Sequence, residues 1–275
     1  MAEAASETIK GDAMNWNTKL LASLLAALGF AGTAGAQSAQ VLRMGLNPTY
    51  PPFESKAPSG ELQGFDIDVG NAICKKLNAK CVWVENDFDG LIPALQARKF
   101  DVVNSAMNIT EKRKQVIDFT APIYVVPIQL VARKSTKLQP TPAGMKGKTV
   151  GVMRGTTQEA YLQKHWSKTG TEIVSYQDQA QVFADLIAGR IDGAVQESQT
   201  ALDGLLSKPE GRDFEFAGEP LVDPSTLGIG TGLGIRKGDS ALREKLQGAI
   251  VALKQDGTLS TLSQKYFKRD IIVKD

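Results

Sequence analysis

Two stretches of the chain repeat the same succession of a helix, a short turn, an aspartate and an apolar strand. The first is LIPALQARKFDVV, from Leu91, and the second is VFADLIAGRIDGAV, from Val182. In each stretch a basic residue lies in the turn, and the residues after the aspartate suit a buried strand. Two such α/β units in one chain predict two lobes of similar build.

The segments around each copy extend the pattern. In the first half we expect helices at 66–77 and 89–98 and strands at 41–45, 81–85 and 101–103. In the second half we expect helices at 159–166 and 179–188 and strands at 148–153, 173–176 and 191–195. This βαβαβ order predicts a parallel-type sheet flanked by helices.

The chain is expected to cross between the lobes twice. Residues 123–131, IYVVPIQLV, are apolar, extended and interrupted by Pro127, which suits a connection. The tail holds a strand at 233–236, a helix at 240–255 and a second helix through Tyr266. If the tail returns to the first lobe, the two crossings form a hinge that permits closure around a ligand.

The N-terminus has the pattern of a secretory signal. Residues 20–31 form an apolar run, shorter than the roughly 20 residues that span a bilayer. Lys19 precedes this run, and the small residues AGA at 34–36 follow it. We therefore predict a signal peptide over 1–36, with Met14 as a possible true start, and an extracytoplasmic mature protein.

Charge and cysteine count exclude several classes of protein. With 32 Lys and Arg against 30 Asp and Glu, the net charge of +2 does not suggest nucleic-acid binding. Cys74 and Cys81, with the single His165, are too few for a four-ligand metal site. Past a secretory signal, this even pair of cysteines predicts a disulfide that ties a helix end to the next strand.

Catalytic motifs are missing from the sequence. It has no G-x-S-x-G, no Walker A motif and no H-E-x-x-H. The carboxylate pairs Asp66/Asp68 and Asp87/Asp89 lie at expected helix starts, where acids complement the helix dipole or cap the helix. We therefore expect a protein that is not an enzyme and that needs no cofactor or metal.

Three expected strand-end loops carry groups that suit a zwitterion. In SAMNITEKRKQ, Thr110 is the expected N-cap of a helix whose first turn holds Arg113. In GVMRGTTQE, Thr156 and Glu159 form a capping box, so a helix begins there with free amides. Glu197 follows another strand. A guanidinium and helix amides suit a carboxylate, and an acid suits an ammonium.

Over residues 41–267 the sequence resembles the periplasmic amino-acid-binding proteins of ATP-binding-cassette importers (bacterial solute-binding protein family 3). It is similar in particular to the lysine/arginine/ornithine- and histidine-binding proteins. The matching stretches run in order and include NPTYPPFESK, GELQGFDIDVGNAICKKL, NITEKRKQVIDF, GTTQEAY and GTGLGIRK. The resemblance implies the α/β, two-lobed periplasmic binding protein fold (type II). Each lobe is then a mixed sheet flanked by helices, with a hinge of two segments.

The resemblance also implies domain boundaries. Lobe 1 would comprise 37–124 and 231–275, and lobe 2 would comprise 129–221. The hinge segments would be 125–128 and 222–230. The protein would be a monomer that delivers its ligand to the inner-membrane permease of the importer.

Roles at the site follow from the resemblance residue by residue. Arg113 would bind the ligand carboxylate and Glu197 its α-ammonium, while Tyr50 and Phe88 would sandwich the side chain. The remaining implied contacts are Asn47, Ser105, Ala106 and Asn108 on the first lobe, and Met153, Thr156, Thr157 and Gln158 on the second.

Four positions depart from the family pattern. Asn47 stands where the basic-amino-acid binders have an aspartate facing the ligand's distal charge, and Ala106 and Asn108 replace serines. Glu197 replaces a shorter aspartate. The loss at Asn47 should weaken lysine binding most. The ligand expected first is basic or histidine-like, from among arginine, histidine, ornithine, lysine and glutamine.

Two other functions stay open on the same scaffold. Some periplasmic dehydratases that act on cyclohexadienyl amino acids resemble these binding proteins, and function depends on the site and not on the fold. Such an enzyme needs a general acid near the substrate ring, and Asn47, Phe88 and Met153 supply none. A sensory amino-acid-binding domain is the other alternative.

Overall fold

The computed structural model describes residues 40–274, and the expected signal peptide lies outside them. Strands β1 to β13 are, in order, Gln40–Leu46, Thr49–Tyr50, Glu54–Lys56, Leu62–Gln63, Ala79–Glu85, Val102–Val103, Ile117–Phe119, Ile128–Arg133, Thr149–Met153, Glu172–Tyr176, Gly193–Glu197, Phe214–Phe216 and Gly234–Arg236. Helices α1 to α9 are Phe65–Lys76, Leu91–Gln96, Glu111–Lys114, Thr157–His165, Gln179–Ile187, Ser198–Ala201, Pro224–Leu227, Ser240–Gln255 and Thr258–Phe267.

The two lobes are each built on a five-stranded mixed sheet. In the first lobe the strand order is β5-β1-β6-β13-β7, and in the second it is β10-β9-β11-β8-β12. In both sheets the first three strands are parallel, and the other two join by antiparallel pairing. The predicted two-lobed α/β fold is confirmed.

The repeated sequence unit occupies equivalent places in the two lobes. Strands β6 and β11, which end the two copies, are each third in their sheet. The aspartate of each copy forms hydrogen bonds in both directions with the backbone of the neighbouring strand. Asp101 N–H donates to the carbonyl of Arg43, and its carboxylate accepts from Arg43 N–H. Asp192 makes the same pair of hydrogen bonds with Thr149.

The C-terminal helices return to the first lobe. Leu246 and Ile250 of α8 and Phe267 of α9 are buried in the same apolar core as Phe65 of α1. The second lobe has its own cores, centred on Trp166 and on Phe183.

The two chain crossings run side by side between the lobes. Thr231 N–H donates to the carbonyl of Tyr124 at 2.9 Å, and Ile123 N–H donates to the carbonyl of Thr231 at 2.7 Å. The first crossing is shorter than the expected connection at 123–131, because β8 begins at Ile128 and pairs with β11. The second crossing contains helix α7, and Leu227 of that helix is buried in the second lobe.

Several element boundaries differ from the prediction by one or two residues. Strand β11 begins at Gly193, two residues later than expected, because Asp192 is held in the hydrogen bonds to Thr149. The strand also ends later than expected, so Glu197 is its last residue and does not follow it. Helix α4 begins at Thr157, two residues earlier than expected, directly after its cap Thr156. The expected helix at 89–98 begins as a 3₁₀ turn, Phe88–Gly90, and continues as α2.

A disulfide joins Cys74 of α1 to Cys81 of β5, with Cα atoms 5.8 Å apart. This confirms the predicted link between a helix and the next strand. It lies beside the core of the first lobe, where Cys74 is buried.

Replacing both cysteines by alanine should lower the free energy of unfolding by about 2–3 kcal/mol, the chain-entropy cost of opening a ring this short. Urea unfolding followed by circular dichroism measures the difference. Wild-type protein treated with a reductant provides the control and should lose a similar amount. Equal unfolding free energies for the oxidised wild type and the double variant would contradict the prediction.

Candidate functional site

Strand ends and loops from both lobes meet in one pocket between the sheets. The first lobe contributes Tyr50, Glu54, Phe88, Ala106, Asn108 and Arg113, and the second contributes Met153, Thr156, Thr157, Gln158 and Glu197. Sequence analysis named all of these except Glu54. The space that they enclose is about 10 Å³, roughly the room for one water molecule.

Asn47 and Ser105, also named from the sequence, do not line this pocket. Both are buried, and hydrogen bonds link them to the pocket residue Glu54. Asn47 N–H donates to Ser105 Oγ at 2.9 Å, and Ser105 Oγ donates to Glu54 Oε1 at 2.8 Å. The Asn47 side chain accepts from Thr49 Oγ1 and donates to the carbonyl of Asn86. Glu54 is therefore the group that this chain of contacts presents to the pocket.

Arg113 is the cation of the pocket. It lies in α3, whose N-cap Thr110 accepts from Arg113 N–H, as predicted. Its guanidinium donates to the carbonyl of Asn108 at 2.7 Å and, across the cleft, to the carbonyl of Gly155 at 3.1 Å. Burial lowers the pKa of Arg113 to about 10, and nearby Glu197 opposes this shift. Arg113 is thus protonated at neutral pH.

Glu197 is the carboxylate that the second lobe brings to the pocket. It is buried and accepts hydrogen bonds from three side chains. Asn108 Nδ2 donates at 2.9 Å, Gln158 Nε2 donates at 2.6 Å, and the Tyr50 hydroxyl donates as well. Tyr50 and Asn108 belong to the first lobe, so this carboxylate is satisfied from both sides of the cleft. Burial and the Glu197 charge raise the pKa of Tyr50 well above its usual range.

The start of helix α4 forms the wall opposite Arg113. Thr156 Oγ1 accepts from Glu159 N–H at 3.2 Å, as the capping box predicts. The Glu159 carboxylate accepts in return from Gly155 N–H at 2.7 Å, one residue before the cap. The amides of the first helical turn have no partner within the helix and carry partial positive charge. With Arg113, they give this end of the pocket an affinity for anions.

Phe88 lies near Arg113, and the Phe88 ring is 5.5 Å from its guanidinium carbon. Tyr50 stacks on Phe53, with ring centroids 6.1 Å apart. Both Tyr50 and Phe88 line the pocket, so a flat or apolar group there would meet aromatic surface.

A second buried acid, Asp66, supports the pocket floor. Its carboxylate accepts from Ala106 N–H at 2.7 Å and from the Tyr124 hydroxyl at 3.0 Å. Ala106 has a positive φ of 42°, unusual for a residue with a Cβ, and the Asp66 contact holds it there. Burial raises the pKa of Asp66 to about 7. Burial and the Asp66 charge raise the pKa of Glu54 well above its usual range.

Glu54 is the pocket residue that sequence analysis missed. It lies in the quoted stretch NPTYPPFESK, but its strand β3 has three residues, too few for an alternating pattern to assign a face. A polar residue between Phe53 and Ser55 gives no sign that it is buried. The one sequence clue is that Glu54 lies four residues after Tyr50, which was named as a site residue. In the structure these two residues pair across β2 and β3.

Within residues 40–274, acids, histidine and cysteines form no group able to hold a metal ion. No helix in that range combines the length and apolarity needed to cross a membrane. The pocket holds one cation, Arg113, and two carboxyl groups, Glu54 and Glu197, so its charged groups are complementary to a small molecule that carries charges of both signs.

The family of bacterial extracellular solute-binding proteins, family 3, matches residues 42–269. The chain is 47% identical over 255 residues to the histidine-binding periplasmic protein of Salmonella typhimurium, covering 92% of this chain and 98% of that protein. It is 44% identical over 248 residues to the lysine/arginine/ornithine-binding periplasmic protein of Escherichia coli, covering 90% and 95%. The chain belongs to this solute-binding family.

Solved structures agree with the fold. An ancestral arginine-binding protein bound to arginine superposes with a TM-score of 0.77 at 36% identity, over 82% of this chain and 98% of that chain. The strand order and the two-lobed build described above are thus those of a known class of binding protein.

Stability should fall as pH rises from about 4 to 7, because folded Asp66 keeps a proton, up to a pKa of about 7, that the unfolded chain has already released. Glu54 acts in the same direction. Urea unfolding at pH 4.5 and pH 7.5 measures the decline. Asp66→Asn, which keeps an acceptor but does not ionise, should reduce the difference between the two pH values. An unchanged difference in this variant would rule out Asp66 as its source.

Proposed function

We propose that this protein is the extracytoplasmic solute-binding component of an amino-acid importer. It binds a free polar amino acid, basic or histidine-like, by closure of its two lobes. Support comes from relatives that are 44–47% identical and are named for histidine and for lysine, arginine and ornithine. It also comes from the complementary charges of the pocket.

One observation carries the proposal: Arg113 and Glu197, opposite in charge, come from different lobes into one pocket. In this proposal Arg113 and the first amides of α4 bind the α-carboxylate, with Thr156 and Thr157 beside them. Glu197 binds the α-ammonium together with Asn108. Tyr50, Phe88 and Met153 surround the side chain. Ser105, Ala106 and Gln158 position these groups through their hydrogen bonds and their backbone.

Lobe closure completes such a site. A pocket of about 10 Å³ is too small for an amino acid to enter, so the lobes must part to admit the ligand. We propose 125–128 and 222–230 as the hinge segments, between a first lobe of 37–124 and 231–275 and a second lobe of 129–221. The paired crossings at Tyr124 and Thr231 flank these segments.

We place the protein in the periplasm, as a monomer that meets an inner-membrane permease of an ATP-binding-cassette importer. The relatives named above are periplasmic by name. The secretory pattern at 1–36 and the disulfide Cys74–Cys81 agree with an oxidising compartment.

A dehydratase is the second candidate, and one observation favours it. Glu54 is a buried pocket carboxyl whose pKa is raised, as a general acid requires. Glu54 would thus supply the general acid that Asn47, Phe88 and Met153 lack. Incubation with prephenate or arogenate distinguishes the two functions, because a binding protein leaves these compounds unchanged.

A thermal-shift screen of the mature chain against the free L-amino acids tests the proposal directly. A ligand that binds the folded state raises the melting temperature by mass action. We expect a shift with at least one basic amino acid or histidine. No shift with any amino acid at millimolar concentration would contradict the proposal.

Arg113→Ala should weaken binding of that amino acid by about two orders of magnitude or more, because the α-carboxylate loses its buried cation. Calorimetry measures the affinity. Arg113→Lys keeps the charge without the two-pronged geometry and should bind with intermediate affinity. Circular dichroism melting checks that each variant is folded. Unchanged affinity in a folded Arg113→Ala variant would exclude this site.

Gly155→Ala should hinder closure and weaken binding by about tenfold or more. A Cβ there would lie 2.7 Å from Asp89 Cβ, across the cleft, closer than carbon atoms pack. Gly189→Ala is the matched control, since Gly189 has a similar φ of 72°, against 75° for Gly155, and open space around it. Both variants should lose about 1 kcal/mol of stability from the positive φ. Equal affinities in the two variants would contradict the steric explanation.

A further inference from the structure

We propose that Arg269 is a positioning residue for ligand binding, which acts through Gln199 to fix the place of Glu197 relative to the first lobe. This rests on the proposed function, in which Glu197 binds the α-ammonium of an amino acid. Arg269 itself does not line the pocket. Its role is to set the affinity for the part of the ligand that all amino acids share.

The C-terminal segment, residues 268–274, runs alongside the first chain crossing. Val125 N–H donates to the carbonyl of Ile271 at 3.1 Å, and Val273 N–H donates to the carbonyl of Ile123 at 2.9 Å. The residues between these two bonds form an antiparallel bridge. The first crossing therefore has an extended segment on this side in addition to its pairing with the second crossing.

The start of the C-terminal segment is anchored to helix α9 of the first lobe. Ser263 Oγ donates to the carbonyl of Arg269 at 2.8 Å and accepts from Ile271 N–H at 2.9 Å. Ser263 is buried, and Ile271 is buried in the apolar core of the first lobe. These contacts hold the backbone of Arg269 against the first lobe, so its side chain extends from a fixed point.

The side chain of Arg269 contacts the second lobe. With the Gln199 amide oriented to suit its neighbours, Gln199 Oε1 accepts from Arg269 Nη2 at 2.6 Å and from Nε at 3.3 Å. A guanidinium that donates two nitrogens constrains the direction of a contact as well as its length. Gln199 is 7% exposed, so water competes weakly for its oxygen.

Gln199 lies next to the residue that closes the pocket on the second lobe. It belongs to α6, the helix that begins directly after Glu197. Ser198 N–H, at the first residue of α6, donates to the carbonyl of Pro127 in the first crossing at 2.8 Å. The helix is thus held by the crossing at its first residue and by Arg269 at its second. Because β11 passes into α6 at Glu197, a shift of this short helix moves the Glu197 carboxylate.

A solvated surface contact is the other interpretation of Arg269, because the residue is exposed. Contacts between exposed charged groups contribute little to stability. Here the acceptor is a buried amide oxygen of the opposite lobe, and removing the donor of a buried oxygen is costly. We therefore expect a modest effect that appears in ligand affinity.

Calorimetry on the mature protein tests the proposal, with each amino acid that gives a thermal shift, beginning with L-arginine and L-histidine. Arg269→Ala should weaken binding about fivefold for every such ligand, because Glu197 contacts the ammonium that they share. Arg269→Lys keeps one charged donor and should recover about half of this loss. Lys274→Ala, which removes a positive charge from the same segment at an exposed position, is the control and should bind as wild type does.

A second position tests whether Arg269 acts through Gln199. Gln199→Met keeps the length of the side chain, removes the acceptor and should weaken binding by about the same factor. The double variant should bind no more weakly than Arg269→Ala alone, since both changes break one contact. If Gln199→Met does not fold, Gln199→Ala takes its place with the same expected result.

Several results would overturn the proposal. Affinity in Arg269→Ala equal to that of wild type, or a loss confined to one amino acid among several, removes the link to Glu197. Losses that multiply in the double variant show that Arg269 does not act through Gln199. An equal loss in Lys274→Ala assigns the effect to net charge. A lower unfolding free energy with unchanged affinity makes Arg269 a structural residue alone.

The outcomes also separate this proposal from the one on which it rests. Amino-acid binding that Arg113→Ala weakens and Arg269→Ala leaves unchanged removes the role of Arg269 alone. Failure of wild type to bind any amino acid, with Arg113→Ala no different from wild type, removes both.

Discussion

The Glu197 carboxylate is the interaction on which the arrangement of the pocket depends. It ends strand β11 of the second lobe, and it is buried where a lone carboxylate would be strongly unfavourable. Tyr50 and Asn108 of the first lobe and Gln158 of the second donate to it. Because the donors come from both lobes, the Glu197 carboxylate links the two lobes at the pocket. The Arg113 guanidinium makes another contact across the cleft, to the carbonyl of Gly155.

The aspartates of the two repeated units hold together the strands whose ends line the pocket. Asp101 binds the backbone of Arg43, in the middle of β1, and Asp192 binds that of Thr149, the first residue of β9, each in both directions. Ion pairs with Arg43 and Lys148 accompany these bonds. These bonds hold β6 against β1 and β11 against β9, and the carboxyl ends of these parallel strands form the edge that faces the pocket. That edge carries Ala106 in one lobe and Met153 and Glu197 in the other.

Local patterns were sufficient to predict most helices and strands, the disulfide and two helix caps. Thr110 and Thr156 accept from the third residue after them, as their types and spacing predict. Pairing between distant strands was less predictable. Strand β8 begins within the expected connection because it pairs with β11, some 65 residues later in the chain. Sequence periodicity does not record which strand will lie alongside another.

Residue types and order thus determined the two α/β units, the cysteine link and the family. They placed Arg113 in the helix that follows a strand-end loop and Glu197 next to the end of a strand. Tertiary structure decided which side chains share a pocket. Glu54 lines the pocket, whereas Asn47 and Ser105 do not and are linked to Glu54 by hydrogen bonds. The physical reason is that a side chain's direction in a strand of three residues depends on what packs around it. For Glu54 that is the buried contact with Ser105, about 50 residues away, and no local sequence pattern records it.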